Sequence, residues 1–450
     1  MPFKIPRFTS QGIDSRSSHL YANIVASFVA KGWSAVIVLL MVPLTLKCLG
    51  AYQNGVWLTV SSMLVWIDQM DIGLGNGLRN RLAAHVAHDQ MAAARKVVSS
   101  TMAMLACVVI PVMLILVWLI WNTDVYAFLN VEYHLLPELR TALTSAVVLV
   151  CLTFVMKSIG NVYMGMQLPA VNNLLLSLGQ TVALVLTWLL YRSGRATFLP
   201  IVVVNTAAPL LVFMLAYPYT FYCRFPDLRP VFRLVNLRSA LELGNLGIKF
   251  FWLQLAGLLQ FWTANLLISH FFTPEMVTPY QIASRYIGIT MVAFTVVCMP
   301  FWSATTDAYE RDDMLWIRRA SHRMNLLTVV FAIAITLMVF VSPWVYQVWI
   351  GNADIVPFPM TIMTALYIFL MILSMRYSYF LNGIGALRLQ LYMTVMAVIF
   401  IPAAWAVSSY THNIIWFMTV MCLCNIPGIA INMIQFHKIL HGTAKGIWRK

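Results

Sequence analysis

The first residues whose side chains could carry a function are two carboxylates, Asp68 and Asp71, within apolar sequence. Asp68 and Asp71 lie three residues apart, so a helix would place them on one face. Residues 55–65 before them are apolar and uncharged, which is typical of a membrane helix. Acids inside such a helix are costly and are functional candidates by default. The alternative for Asp71 is a place at the membrane interface, where its carboxylate bonds water or Asn76.

Glycines and then basic residues follow these acids directly. Gly73, Gly75 and Gly77 come first, and Arg79 and Arg81 come next. The pattern predicts a membrane helix that carries two acids near its inner end, loosens at the glycines and continues into a basic loop.

Basic side chains inside apolar runs form the second chemical feature. There are five: Lys31, Lys157, Lys249, Arg285 and Arg376. At a helical rise of about 1.5 Å per residue, all but Arg285 lie roughly 10 to 14 Å from the basic end of their helices. Arg285 enters from the opposite end. We predict that all five bind substrate. The alternative is snorkelling, in which a long basic side chain reaches the interface along its helix.

The balance of internal charge favours a hydrated or anion-binding interior. Five cations face only two clearly internal acids, and a charge at a helix centre costs at least about 2.5 to 3.5 kcal/mol. An excess of unpaired cations therefore implies a water-filled cavity, an anionic ligand, or both.

Composition identifies the class of protein that must position these residues. The chain has 450 residues, of which 61% are hydrophobic and 10% charged, and its formal net charge is +14. The mean hydropathy is +0.80. A soluble chain of this length does not bury so much apolar surface, so the sequence predicts an all-α polytopic membrane protein.

Apolar runs long enough to cross a bilayer occur about twelve times. The predicted spans are 22–46, 55–77, 98–121, 141–165, 170–191, 198–222, 241–270, 277–305, 324–349, 358–383, 387–409 and 413–436. Outside these spans, twenty Lys and Arg residues fall on one side and four on the other. The positive-inside rule then predicts that both termini are cytoplasmic.

Two weak internal sequence similarities indicate a duplicated chain. Residues 49–62 align without gaps with 272–285, so that Trp57 meets Tyr280. Lys157 precedes Gly165 by eight residues, and Arg376 precedes Gly383 by seven. We predict two six-helix lobes around a central cationic cavity, with residues 1–222 in the first lobe, a basic cytoplasmic linker at 223–240, and residues 241–450 in the second lobe.

The cysteines and histidines are interpreted as structural. The seven cysteines contain no Cys-x-x-Cys pair, and most lie in apolar runs, so neither a disulfide framework nor a metal site is predicted. The pairs His85/His88 and His437/His441 have helical spacing but no third ligand nearby.

The run 52–83 resembles the Wzx-type flippases of the multidrug/oligosaccharidyl-lipid/polysaccharide exporter superfamily. Its most specific piece is Asp71-Ile-Gly-Leu-Gly-Asn-Gly-Leu-Arg-Asn80. Matched motif positions are Gly73, Asn76, Gly77, Arg79 and Asn80. The turn Asn-Gly-Ile-Gly-Ala-Leu-Arg at 382–388 is similar to one in the same family. The rest of the C-terminal lobe matches by organisation only.

The resemblance implies a transporter that moves undecaprenyl-diphosphate-linked oligosaccharide from the cytoplasmic to the periplasmic leaflet of a bacterial inner membrane. It implies alternating access and no cofactor or nucleic acid. It also suggests ion coupling, with Asp68 or Asp71 either carrying the coupling proton or pairing with Lys31. Expected partners are the lipid-linked oligosaccharide, membrane lipids and other polysaccharide-assembly membrane proteins.

Two rival functions stay open. A multidrug or cation exporter of the same superfamily would be expected to use internal acids, whereas cations dominate here. A polysaccharide polymerase or ligase would need a large outer loop with catalytic residues. The longest predicted outer loop, 122–140, holds no nucleophile constellation, so the chain is not predicted to be an enzyme.

Overall fold

The computed structural model describes residues 13–68, 74–236, 263–386 and 388–449. Every regular element in these ranges is helical, with no strand among them. The chain divides into two compact units, residues 1–254 and 255–450, and each is described by itself. Among the predicted site residues, Asp71, Gly73 and Lys249 lie outside the described residues.

The N-terminal unit contains seven described α-helices. They are α1 (Ile13–Asp68), α2 (Leu74–Ala87), α3 (Met91–Asn122), α4 (Val125–Leu129), α5 (Leu139–Gly165), α6 (Pro169–Arg192) and α7 (Phe198–Pro218). A π-helical turn, Tyr219–Arg224, continues α7. Two short 3₁₀ turns follow, Pro226–Leu228 and Phe232–Leu234.

The C-terminal unit contains six described α-helices. They are α8 (Thr263–Phe271), α9 (Pro274–Glu310), α10 (Met314–Ile350), α11 (Phe358–Ile384), α12 (Arg388–Thr411) and α13 (Ile414–Leu440). Short 3₁₀ turns lie at Ala353–Ile355 and Gly446–Trp448.

The predicted spans fall on these helices. Within the described residues, nine helices are long and apolar enough to cross a membrane. One of the nine, α1, covers both the first predicted span and most of the second, because the two helices are joined across a kink at Gly50. The eleventh span corresponds to α12, and most of the seventh lies outside the described residues.

The kink in α1 lies within the first pair of similar segments, 49–62 and 272–285, at a position where the second segment is extended. Gly50 has φ +67° and ψ 177°, a conformation that L-residues with a side chain rarely adopt. Its aligned counterpart, Thr273, is the extended residue before α9. Tyr52 lies just after the kink, and its hydroxyl accepts a 3.0 Å hydrogen bond from the backbone N–H of Glu132. The kink therefore lies at the same end of the unit as the 122–140 loop.

The glycines of the second pair of similar segments, Gly165 and Gly383, lie at close contacts between helices. A Cβ built on Gly165 in α5 would lie 2.9 Å from Leu82 in α2. A Cβ on Gly383 in α11 would lie 2.9 Å from the backbone oxygen of Trp302 in α9. Both glycines let two helices approach closely near one end, as small residues do in membrane bundles.

The two units repeat the same helix neighbours. In the N-terminal unit, α5 packs on α2, α3 and α7, and α6 packs on α1 and α7. In the C-terminal unit, α11 packs on α9, α10 and α13, and α12 packs on α8 and α13. By order along the chain, α5 and α11 hold corresponding central places.

Substituting Gly383 by Ala is expected to destabilise the protein by about 1 to 3 kcal/mol. The added methyl group meets the Trp302 carbonyl, which is held in a helix and does not move easily. Gly165→Ala should cost less, because its obstacle is the side chain of Leu82. Thermal unfolding in detergent measures the difference. Gly288→Ala on α9 is the control, since its Cβ would meet nothing within 4 Å. A larger loss in Gly165→Ala than in Gly383→Ala would contradict this account.

The basic segments predicted as loops are partly helical. Arg79 lies on α2, and Arg318 and Arg323 lie on α10. The prediction of a basic loop directly after the second span is therefore wrong for the described part. Helix α2 is amphipathic, with Leu78 and Leu82 fully buried on one face and Arg79 exposed on the other.

The described part of the segment 223–240 is packed against α3. The hydroxyls of buried Ser99 and Ser100 accept hydrogen bonds from the backbone N–H groups of Val231 (3.0 Å) and Asn236 (2.9 Å). The Arg95 Nε donates to the backbone oxygen of Arg229 at 2.8 Å. Three bonds thus attach this segment to the N-terminal unit.

Candidate functional site

Lys31 lies beside a polar contact between α1 and α6. The Ser177 hydroxyl donates to the Ala30 carbonyl at 2.8 Å and lies 2.8 Å from the Ser34 hydroxyl. The Trp33 indole donates to Thr181 at 3.1 Å. Ala30 and Ser34 are one helical turn apart and face α6, whereas Lys31 is exposed. Lys31 therefore remains accessible to solvent or ligand in this unit.

Lys157 lies on α5, one turn before the contact of α5 with α6. Gly160 packs directly against the side chain of Asn172. Lys157 is half-buried, with Ser158 beside it fully buried. Lys157 is therefore partly covered by its own unit.

The depth of these two lysines can be measured along helix α6, because α1 and α5 both contact it. Ala30 is level with Ser177 and Gly160 is level with Asn172. At about 1.5 Å per residue, Lys157 lies about 9 Å from the Pro169 end of α6 and Lys31 about 13 Å from it. The two amines belong to one layer about one helical turn thick.

Arg376 lies at a similar distance from the corresponding end of the C-terminal unit. It precedes Gly383 by seven residues on α11, which is about 10 Å along the helix axis. Its guanidinium carbon is 4.6 Å from the centroid of the Tyr377 ring. Its buried Nε has no hydrogen-bond partner in the described structure. A half-buried guanidinium with an unused donor is suited to an incoming anion.

Arg285 does not share this level. Gly383 is level with Trp302, so Arg376, seven residues earlier, corresponds in depth to about residue 295 of α9, and Arg285 lies roughly 15 Å beyond it. Next to it, the Tyr286 hydroxyl donates to the Met338 carbonyl at 3.1 Å. One turn before it, the Gln281 amide donates to Asn265 of α8 at 2.7 Å. Arg285 therefore lies towards the opposite end of its unit, as its position in the sequence predicts.

The predicted ion-coupling residues are only partly within the described structure. Asp68 is the last described residue of α1, but its side chain is not described, and neither is that of Asn76. Gly77 is buried on α2, and Arg79 and Asn80 are exposed. The motif is thus seen as an amphipathic helix with its polar residues on the open face.

The structure adds small polar residues that the sequence interpretation missed. Ser34, Ser177 and Thr181 line the contact beside Lys31. Their signal was available, because Ser177 and Thr181 are spaced i, i+4 in an apolar span. Three aromatic residues of the spans also contact their own unit: Trp33 and Tyr286 through hydrogen bonds, and Trp302 through the ring of Tyr379.

No metal centre forms in the described ranges, where no three His, Cys, Asp or Glu side chains come together. His437 and His441 stack with ring centroids 6.5 Å apart on the last turn of α13. Nearby, the Lys438 amine lies 3.9 Å from the Trp448 ring centroid. This end of α13 is a basic, aromatic surface.

Comparison with known proteins identifies the fold. No family model matches the chain, and no curated protein matches it either. Among solved structures, an inward-facing multidrug resistance MATE family transporter of the MOP superfamily superposes with a TM-score of 0.70 at 14% identity, covering 98% of both chains. An outward-facing MATE family transporter gives 0.58 at 13% identity, covering 95% of this chain and 96% of that one.

A third neighbour comes from Pyrococcus furiosus. It is a MOP superfamily transporter whose description reads "reverse polarity of binding pocket suggests different function". Its TM-score is 0.54 at 13% identity, covering 95% of each chain. At these identities the likeness concerns the fold. The chain is a multi-pass membrane protein with a MATE-like fold, which is consistent with the predicted twelve-helix, two-lobe layout, and the regular elements of its described residues are all helical.

Proposed function

We propose that this protein is a flippase for lipid-linked oligosaccharides. It would carry undecaprenyl-diphosphate-linked repeat units, such as those of O-antigen, from the cytoplasmic to the periplasmic leaflet of a bacterial inner membrane by alternating access. The observation that carries the proposal is the cationic layer inside the membrane helices. Lys31 and Lys157 lie at one level of the N-terminal unit, and Arg376 lies at a similar distance from its helix end.

Binding of a diphosphate would offset the free-energy cost of placing these cations inside the membrane. In hydrocarbon a lone charge is costly, and that cost is offset when a hydrated anion binds. Amine and guanidinium donors form strong, short hydrogen bonds to phosphate oxygens. Uncharged sugars need only water and hydrogen-bonding groups, such as Ser34 and the exposed face near Lys31.

The polarity of the site separates this proposal from the main alternative, a multidrug exporter. Two neighbours are multidrug resistance transporters, and this favours the alternative as a second candidate. The Pyrococcus furiosus neighbour supports the first proposal, since in that MOP superfamily transporter a binding pocket of reversed polarity suggests a different function. In the described spans of this chain the internal charges are Lys31, Lys157, Arg285 and Arg376 against the acid Asp68, and this cationic excess suits a carrier of anions.

The test is a glycan analysis of a strain in which the gene is deleted. We expect undecaprenyl-diphosphate-linked repeat units to accumulate on the cytoplasmic side, and a plasmid copy to clear them. A deletion strain that accumulates no such lipid but becomes sensitive to cationic drugs would support the multidrug exporter and overturn the proposal.

Orientation gives a separate prediction. Because the basic residues collect on one side, Asn352→Cys should react with a membrane-impermeant thiol reagent added outside, and Lys445→Cys should not. Both positions are exposed. The exposed Cys107 and Cys223 must first be replaced in the background. The reverse labelling pattern would contradict cytoplasmic termini.

A further inference from the structure

An apolar groove lies at the basic end of the N-terminal unit. It has a volume of about 230 Å³ and is open to one side. Helices α3, α5 and α7 form its walls, and the segment 230–235 forms its rim. The main lining residues are Met102, Ala106, Met156, Tyr217, Val231 and Phe232. No part of the proposed transport chemistry uses this groove.

Its lining suits hydrocarbon and not a polar headgroup. The one serine in the lining, Ser99, is already engaged, since its hydroxyl donates to the Arg95 carbonyl and accepts from Val231. Small-molecule sites typically occupy about 300 to 1,000 Å³, so this groove is too small for an oligosaccharide. It can take a short length of a flexible apolar chain.

The rim of the groove is cationic and aromatic. Arg229 and Arg233 flank the lining residues on the 230–235 segment, and both are exposed. The Arg229 guanidinium is held 4.3 Å from the Tyr222 ring centroid, and its backbone oxygen is bonded by Arg95. Phe232 is 92% exposed and lies between these arginines. The acid in this stretch is Asp227, also exposed.

An apolar groove below a rim of arginine and exposed aromatic residues is complementary to a lipid at the membrane surface, with an apolar chain and an anionic headgroup. Aromatic side chains favour the interface, and the cytoplasmic leaflet carries anionic headgroups that attract Lys and Arg. We propose that this groove binds one anionic glycerophospholipid of the cytoplasmic leaflet, with an acyl chain between α3 and α5 and its phosphate at Arg229 and Arg233. The bound lipid would attach the 225–236 segment to the membrane. This site does not depend on which substrate is carried.

Binding can be measured on the purified full-length protein by native mass spectrometry. Phosphatidylglycerol and phosphatidylcholine with identical acyl chains are the probes. We expect one tightly retained phosphatidylglycerol and at least tenfold weaker retention of phosphatidylcholine. The double variant Arg229→Gln/Arg233→Gln should remove that preference. Both side chains are exposed, so the fold should be unaffected.

Two further variants locate the lipid. Arg192→Gln/Arg195→Gln, at the opposite end of the same unit, should leave the preference unchanged. Ala106→Trp fills the groove and should abolish tight retention of phosphatidylglycerol. If Ala106→Trp does not fold, the rim variant decides alone. Equal retention of both lipids, an undiminished preference in the rim variant, or displacement of phosphatidylglycerol by a lower concentration of undecaprenyl phosphate would overturn the proposal.

Discussion

Replacing any one of Lys31, Lys157, Lys249 or Arg376 by glutamine is expected to reduce export roughly tenfold or more. A hydrogen bond to a charged group contributes about 1.5 to 3 kcal/mol, and glutamine is a shorter side chain that stays polar but has no charge. The proteins should still insert and fold, because a hydrated site tolerates truncation better than a packed core. Export at equal membrane abundance is the measurement.

The conservative and apolar variants discriminate between binding and snorkelling. Lys→Arg should retain more export than Lys→Gln, although the rigid guanidinium fork does not fit every amine site. If the cations only reach for the interface, Lys→Leu would be harmless or would improve insertion. Normal export in leucine variants at three or more of the four sites would show that these residues are interface anchors.

Arg285 is expected to behave differently from the four residues of this layer. It lies roughly 15 Å, nearly three helical turns, further along its unit than Arg376, so we do not expect it to bind the same phosphate group. We propose that it meets the substrate later in the transport cycle. Arg192→Gln, at an exposed position, is the matched control for loss of a cation outside the bundle and should not affect export.

Asparagine at Asp68 or at Asp71 is expected to abolish gradient-dependent export at whichever site carries the coupling proton. An amide has the shape of a carboxyl group but cannot take up and release a proton. Transport in vesicles with and without an imposed proton gradient measures this effect directly. Asp307→Asn is the matched control, because Asp307 is an exposed partner of Arg311 at 2.9 Å and such surface pairs contribute little.

The double variant completes the test of the acids. Full gradient-dependent export by both single variants and by Asp68→Asn/Asp71→Asn would reduce the two acids to structural roles. Loss of export at only one site would identify the coupling residue and support the interface interpretation of the other, as considered for Asp71.

The sequence by itself determined the membrane class and most spans. These properties are local, since hydropathy and a fixed rise per residue need no knowledge of neighbours. The span predicted at 141–165 corresponds to Leu139–Gly165, and the span at 358–383 corresponds to Phe358–Ile384. The exact ends of the helices were harder to predict from the sequence, because amphipathic extensions such as α2 carry too much charge to resemble a membrane span.

Only the tertiary structure decided which helices meet. The sequence marks Gly165 and Gly383 as related, but their contacts with Leu82 and Trp302 join residues about eighty positions apart. The same holds for the 225–236 segment, whose attachment depends on Ser99 and Ser100 more than a hundred residues earlier. Such pairings depend on shape and on unsatisfied backbone groups across helices, and neither is visible in the pattern of a single segment.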